Sequence, residues 1–428
     1  MSSISPFANT TRRSSSRLGA TACLAVLLVA SHAPAQTTEA RLTLRVCRSG
    51  PALGTARAER DLGAADVRAI EPMQNPSLVL EHQRTLTGPN DRETTVGAEI
   101  PLPISGRRGL LRRAAEARQL AANARADVDL LQTALDFREA YALAVVDHER
   151  AAVMRAHQAA LEELSVALKQ LSNSGETAAY DVKRHEVEVR LHSRALTGAL
   201  ARAERSERRL HQWLGEGIGR NSLSITGLSS APLALRPSTE HAEVVALHAM
   251  ARAAGFESDA ARRRWVPEPE IFAGYRQIST GAQTGHGLSV AISLPLTFFE
   301  HGQGASARAL AERALARDRA GRLRRKLDVE REAVLAILGP LEAAFRAAEL
   351  NLKAAEHLRE QARVLYGAGE ASMTDLLDAY RTGENAALDR VTALEELLAA
   401  RLAAMRAAGT QFDPELDASC GSHSHQER

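Results

Sequence analysis

The sequence predicts a mainly α-helical chain with a small β part, built from one unit used twice: a strand hairpin followed by a long helical hairpin. Three observations predict it. Four landmarks recur at an almost constant offset, two short stretches alternate with period two, and two stretches of roughly 60 residues carry a helical seam.

The duplication comes first because it organises everything else. Asn75-Pro76-Ser77-Leu78 opens one unit and Glu268-Pro269-Glu270-Ile271 the other. Ile100-Pro101-Leu102 recurs as Leu294-Pro295-Leu296, Gly175-Glu176 as Gly369-Glu370, and Asp181 as Asp375. All four pairs lie 193 or 194 residues apart, too long a period for a solenoid. The segment from Leu214 to Thr239, rich in Gly, Ser and Pro, reads as the connector. The expected division is residues 1–35 as leader, 36–236 and 237–412 as the two units, and 413–428 as a polar tail.

Each unit begins with two strands. Leu288, Val290, Ile292 and Leu294 alternate with Ser289, Ala291 and Ser293, and Val96, Ala98 and Ile100 oppose Thr95, Gly97 and Glu99. Ser77 to Arg84 and Ile271 to Gln277 are the partner strands, with turns at Gly88-Pro89-Asn90-Asp91 and Thr280 to Gly285. A long helix follows in each unit. Leu110, Ala114, Ala117, Ala121, Ala124, Val128, Leu131 and Leu135 advance by alternating fours and threes, a seam whose small residues permit close helix approach. The pattern runs to about Leu171, and its copy runs from about Ala305 to Tyr366 with Gly339-Pro340 as an expected kink. Shorter helices return over Ala178 to Leu214 and Met373 to Ala408.

Composition narrows the function. The 54 Lys and Arg nearly balance the 52 Asp and Glu, which argues against a nucleic-acid binder. Arg12, Arg13 and Arg17, the apolar run from Leu18 to Ala30 and Ala33-Pro34-Ala35 together read as a secretory signal cleaved before Gln36. Cys23 falls inside it, leaving Cys47 and Cys420, which form neither a disulfide framework nor a zinc motif. No later stretch has 18 continuous apolar residues, so a membrane, if crossed, is crossed by strands. Four strands cannot close a barrel in lipid without leaving edges unpaired. Three copies supply twelve, so a trimer becomes a requirement of that reading.

With these features in place, the chain from about Asn75 to Ala408 resembles the TolC-like outer membrane factor family, and within it the heavy-metal efflux branch of the CzcC and CusC type. The Pro-opened strands, Ile100-Pro101-Leu102-Pro103, Leu294-Pro295-Leu296 and the tip Tyr366-Gly367-Ala368-Gly369-Glu370-Ala371-Ser372-Met373-Thr374-Asp375-Leu376-Leu377-Asp378-Ala379 carry the resemblance. It implies a homotrimer with a twelve-stranded barrel in outer-membrane lipid, continued by a periplasmic α-helical barrel closed at its tip. It also implies a periplasmic adaptor and an inner-membrane pump of the resistance-nodulation-division class as partners, with heavy-metal cations as cargo.

Four departures stand out. Leu42 to Glu71 contains Pro51 and Gly54, so the helix expected before the first strand reads as truncated. Ala371 occupies the place of an arginine that locks some drug-efflux tips, and Val146 stands where the second unit has Pro340. The lipid anchor of some relatives has no counterpart.

No catalytic constellation emerges, so no enzyme activity and no cofactor are expected. Gly302-Gln303-Gly304 lacks the glycine and lysine that would make a phosphate loop. His423 and His425 in the tail offer a weak metal pair, though a polar tail with incidental histidines is the simpler reading. His82, His185 and His301 read as surface groups. The resemblance makes Asp375, Asp378 and Asp181, with Arg184 beside them, the candidate gate. It makes Gly175, Glu176, Gly369 and Glu370 the candidate adaptor-contact tips. Three rivals remain: a drug-efflux or type I secretion duct of the same fold, a periplasmic coiled-coil adaptor, and a structural coiled-coil protein.

Overall fold

A computed structural model describes residues 39–70, 74–87, 91–175, 178–214, 241–281 and 283–409. The leader, the connector, Glu176, Cys420, His423 and His425 therefore lie outside the described residues.

The chain opens with α1 (Glu39–Ser49) and α2 (Pro51–Ile70). The stretch expected to be truncated is helical, and the reason is local. Pro51 begins α2, at the position where a missing N–H costs nothing. At Gly54 a side chain would meet open space, so that glycine marks no turn. Leu42 and Val46 of α1 are buried with Phe137, Tyr141 and Leu210, which gives the segment its anchor.

The hairpin β1 (Ser77–Arg84) and β2 (Asp91–Pro101) leads into α3 (Arg107–Asn173) and α4 (Ala179–Leu214). The second unit contains α5 (Ala242–Arg262), a 3₁₀ turn at Arg263–Trp265, β3 (Glu270–Thr280), β4 (Gln283–Ser293), α6 (Gln303–Gly367) and α7 (Met373–Ala408). At ~1.5 Å per residue, α3 and α6 are each about 100 Å long. The Ala-rich seam of α3 is inward as its spacing implies: Ala114, Ala117, Ala121, Ala124 and Leu135 are buried. α5 precedes the strands of the second unit and packs against both α3 and α6. Ser258 of α5 and Ser306 of α6 meet there through buried hydroxyls 3.0 Å apart. The helix α6 runs unbroken through Pro340.

The four strands form one antiparallel sheet in the order β1-β2-β3-β4, so the two units are joined edge to edge between β2 and β3. Cross-strand partners share a face. One face therefore carries Leu78, Leu80, Val96, Ala98, Ile100, Ile271, Ala273, Tyr275, Leu288, Val290 and Ile292. The other carries Glu93, Thr95, Gly97, Glu99, Gly274, Arg276, Gly287 and Ser289, with the ring of Phe272 lying over Gly97 and Gly274.

Both long helices start alike. Gly106 caps α3 with φ 65° and Gly302 caps α6 with φ 90°, each turning the chain out of a strand through a left-handed residue. At Gly302 a Cβ would lie 1.9 Å from the Ala261 carbonyl oxygen, so glycine is required there for space as well as for φ.

Candidate functional site

Two regions bear on function: the sheet and the end of the helical hairpins. Among the described residues no helix is long and apolar enough to cross a membrane. The sheet instead exposes a broad apolar face. Leu78, Leu288, Val290 and Ile292 are 80%, 88%, 72% and 71% exposed, a state that costs free energy in water for each side chain left uncovered. β2, β3 and β4 are each 11 residues long, matching what a tilted strand needs to cross a bilayer. Among the described residues, the outer edges of β1 and β4 have no strand partner.

At the other end, each long helix ends at a left-handed glycine. α6 ends in a Schellman motif: Gly369 N–H donates to the Tyr366 carbonyl at 3.1 Å and Glu370 N–H to the Leu365 carbonyl at 2.9 Å. Gly369 takes φ 75° and Gly175, at the end of α3, takes φ 82°. Neither position would crowd a side chain, so the backbone conformation alone selects glycine. Gly175, Gly369 and Glu370 are exposed at the reversals.

α7 then begins with a capping box. Ser372 Oγ accepts from Asp375 N–H at 3.2 Å, and Asp375 Oδ2 accepts from Ser372 N–H at 2.9 Å. The Ser372 hydroxyl also donates to Asp375 Oδ2 at 2.6 Å, and this bond first, with the backbone one from Ser372 N–H second, holds the Asp375 carboxyl below its ordinary pKa. Asp378 is exposed on the same face, 3.6 Å from Arg381, which is otherwise paired through two nitrogens with Glu188 of α4. Asp181 lies in the first turn of α4. Arg184 donates to the Thr374 hydroxyl at 3.2 Å, a link from α4 to α7. The tip acids thus do different things: Asp375 is engaged by the start of its helix, while Asp378 presents its carboxylate to solvent.

Beneath the acids the tip is dry. Leu161, Leu164, Leu168, Met373, Leu376, Leu377 and Tyr380 form a core joining α3 to α7. His185, expected at the surface, is 1% exposed, with Nε2 2.8 Å from the Leu161 carbonyl oxygen. His185 and His192 lie seven apart on α4, so both fall on its buried seam. That heptad spacing was the available signal. Among the described residues, potential metal-ligand atoms converge at His157, His192 and Glu384, all within 4.8 Å of one another.

No protein-family model and no curated protein sequence matches the chain. Its fold nevertheless matches solved structures over most of its length. The outer membrane protein VceC from Vibrio cholerae superposes with a TM-score of 0.70 at 18% identity, over 88% of this chain and 97% of that one. The outer membrane channel CmeC from Campylobacter jejuni gives 0.68 at 12%, over 89% of each. CusC, described as forming a transmembrane channel, gives 0.68 at 14%, over 87% of this chain and 92% of that one. The likeness establishes the fold, that of the outer-membrane channel proteins, and it does not rank CusC above CmeC.

Proposed function

We propose that the chain is the outer-membrane duct of a tripartite efflux system, a passive conduit working as a homotrimer. The observation that carries this is the four-stranded sheet. It is apolar and uncovered on one face, polar and glycine-rich on the other, and unpaired at both edges. In lipid every backbone donor and acceptor needs a partner, so such a sheet is stable only when closed on itself. Pairing β1 of one copy with β4 of the next closes twelve strands from three copies, with the apolar face toward lipid. The long helices continue that cylinder away from the membrane. Exposed apolar residues along α6, among them Val329, Ile337, Leu350 and Val364, supply surface for the neighbouring copies.

In this reading the reversals at Gly175 and Gly369 contact a periplasmic adaptor, and a resistance-nodulation-division pump supplies the energy. The cargo we assign is heavy-metal cations, supported by the exposed carboxylates of Asp378 and Asp375 at the narrow end. A drug or protein-secretion duct of the same fold is the competing assignment.

The test is direct. The chain should fractionate with the outer membrane, run as a trimer in mild detergent and conduct ions in planar bilayers. A monodisperse periplasmic monomer would sink the proposal. Deletion that sensitises cells to transition metals, and leaves drug tolerance unchanged, would support the cargo assignment; the reverse pattern would replace it.

A further inference from the structure

Inside the helical hairpins, about 17 Å along α7 from its start at ~1.5 Å per residue, three helices contribute one polar cluster. His157 comes from α3, His192 from α4 and Glu384 from α7. Their side chains are 6%, 8% and 15% exposed. His157 Nε2 lies 3.1 Å from Glu384 Oε2, and His192 Nε2 lies 2.8 Å from Glu384 Oε1. The two imidazole centroids are 4.7 Å apart.

The hydrogen bonds behind His192 fix its orientation. Gln158 Nε2 donates to Glu162 Oε1 at 2.7 Å, so the other amide atom, Oε1, is the one facing His192 Nδ1 at 2.9 Å. A carbonyl oxygen only accepts; Nδ1 therefore carries the proton. In a neutral ring Nε2 then presents its lone pair to a carboxylate oxygen, which repels it. The arrangement is satisfied either by a second proton on Nε2 or by a cation held between imidazole and carboxylate. A ligating imidazole held by a hydrogen bond to its other nitrogen is the usual support of a metal site.

We propose that His157, His192 and Glu384 bind a divalent transition cation of the zinc type, tying α3, α4 and α7 together above the tip. Two imidazoles and one carboxylate suit such an ion, with water as a fourth ligand. Bonds of about 2.0–2.1 Å in tetrahedral geometry put ligand atoms roughly 3.3 Å apart, so the two imidazole–carboxylate separations open by a few tenths of an ångström, while the widest separation in the trio, within 4.8 Å, closes by a side-chain rotation. Arg359 adds positive charge nearby, and Glu188 offsets it. Glu384, the most accessible of the three, offers the way in.

The site is contained in one chain and does not depend on the duct reading. Loss of cation binding with the trimer and its conductance intact removes the site alone; a soluble monomer that still binds removes the duct alone. The test uses the full mature chain carrying a tag without histidine. It is stripped with a chelator and titrated with zinc, then with cobalt as a spectroscopic stand-in. One ion per chain is expected, with a rise in melting temperature on zinc addition. Glu384→Gln and His192→Gln should each abolish both effects. Gln158→Leu should weaken binding by roughly 10- to 100-fold, the usual effect of losing an outer-shell partner. His423→Ala with His425→Ala should change neither the stoichiometry nor the melting shift. X-ray absorption on the zinc-loaded wild type should report two imidazoles, which needs no substitution and so stands even if a variant misfolds. Zinc uptake equal in wild type and Glu384→Gln, uptake that vanishes with the tail histidines, or a zinc shell without imidazole each overturns the proposal in favour of a cluster satisfied by a proton.

Discussion

Asp375 and Ser372 each satisfy the other's backbone across the first turn of α7, Oδ2 to N–H at 2.9 Å one way and Oγ to N–H at 3.2 Å the other. Ser372→Ala should cost the start of α7 about 1 kcal/mol. The Asp375 pKa is depressed, so its share is fully present above the ordinary carboxylate pKa and is lost as pH falls through the depressed value. Hydrogen exchange at the first amides of α7, taken relative to its intrinsic rate at each pH, should therefore rise on acidification in the wild type. In Ser372→Ala it should already be fast at neutral pH; protection that ignores both changes would refute the cap's role.

Selectivity should follow Asp378 more than Asp375. In a trimer Asp378 recurs around one axis, and its carboxylate is not committed to a helix start. Asp378→Asn alone should remove most of the cation preference lost in Asp375→Ala with Asp378→Ala, read as a reversal potential in planar bilayers. Arg184→Ala should raise the open fraction by freeing α4 from Thr374. Equal effects of the two single acid substitutions would contradict the division of roles.

Gly302 and Gly106 should differ sharply despite their matching positions. Both adopt left-handed φ, worth about 1–2 kcal/mol against alanine. At Gly106 a Cβ meets only the movable Arg263 side chain, whereas at Gly302 it meets the Ala261 backbone. Gly302→Ala should thus be poorly assembled, and Gly106→Ala only mildly destabilised, judged by trimer yield and melting temperature. Equal behaviour would mean that the junction relaxes freely.

In the sheet, Gly274→Ala should cost roughly 1–3 kcal/mol as an overpacked position. Its Cβ would lie 2.6 Å from both the Phe272 ring and the Val96 carbonyl oxygen. Adding Phe272→Ala should not rescue it, because the backbone contact remains. Restored trimer heat resistance in the double variant would show that only the ring was in the way.

Pro340 leaves the Ala336 carbonyl without its helical donor, an interior proline costing up to about 3 kcal/mol. Pro340→Ala should raise the midpoint of helix melting, followed by circular dichroism. An unchanged or lower midpoint would mean that the flanking backbone already compensates.

Much of this fold is legible in the residues. Leu288 to Leu294 announces its strand because alternation survives wherever one face meets an apolar medium. The Ala114 to Leu135 seam announces α3 because its period matches a helix. α5 is harder: its buried set includes Ala246, Ala249, Ala251, Ala253, Ala254, Ala260 and Ala261, and alanine offers little contrast between faces. α2 is hidden by Pro51 and Gly54, which read as breakers until the helix start is placed. Gly369 and Asp375 stand out through the duplication, but Ser372's reciprocal bond needs three-dimensional geometry. His157, His192 and Glu384 lie on three helices, and only the register of α3, α4 and α7 brings them together.

The seam between β2 and β3 has a consequence for biogenesis. Asp91 must find Thr280 and Pro101 must find Glu270, so in a chain exported as the proposed function requires, the first hairpin would emerge long before its inner partner. During that interval Leu78 and Leu80 face water with no sheet to complete, a sticky edge of the kind that periplasmic holding chaperones shield. Closing that long-range seam should be slow, because non-local strand pairing costs loop-closure entropy before any contact rewards it. Cells short of such chaperones should lose this protein in the periplasm, by degradation or aggregation, before assembly begins.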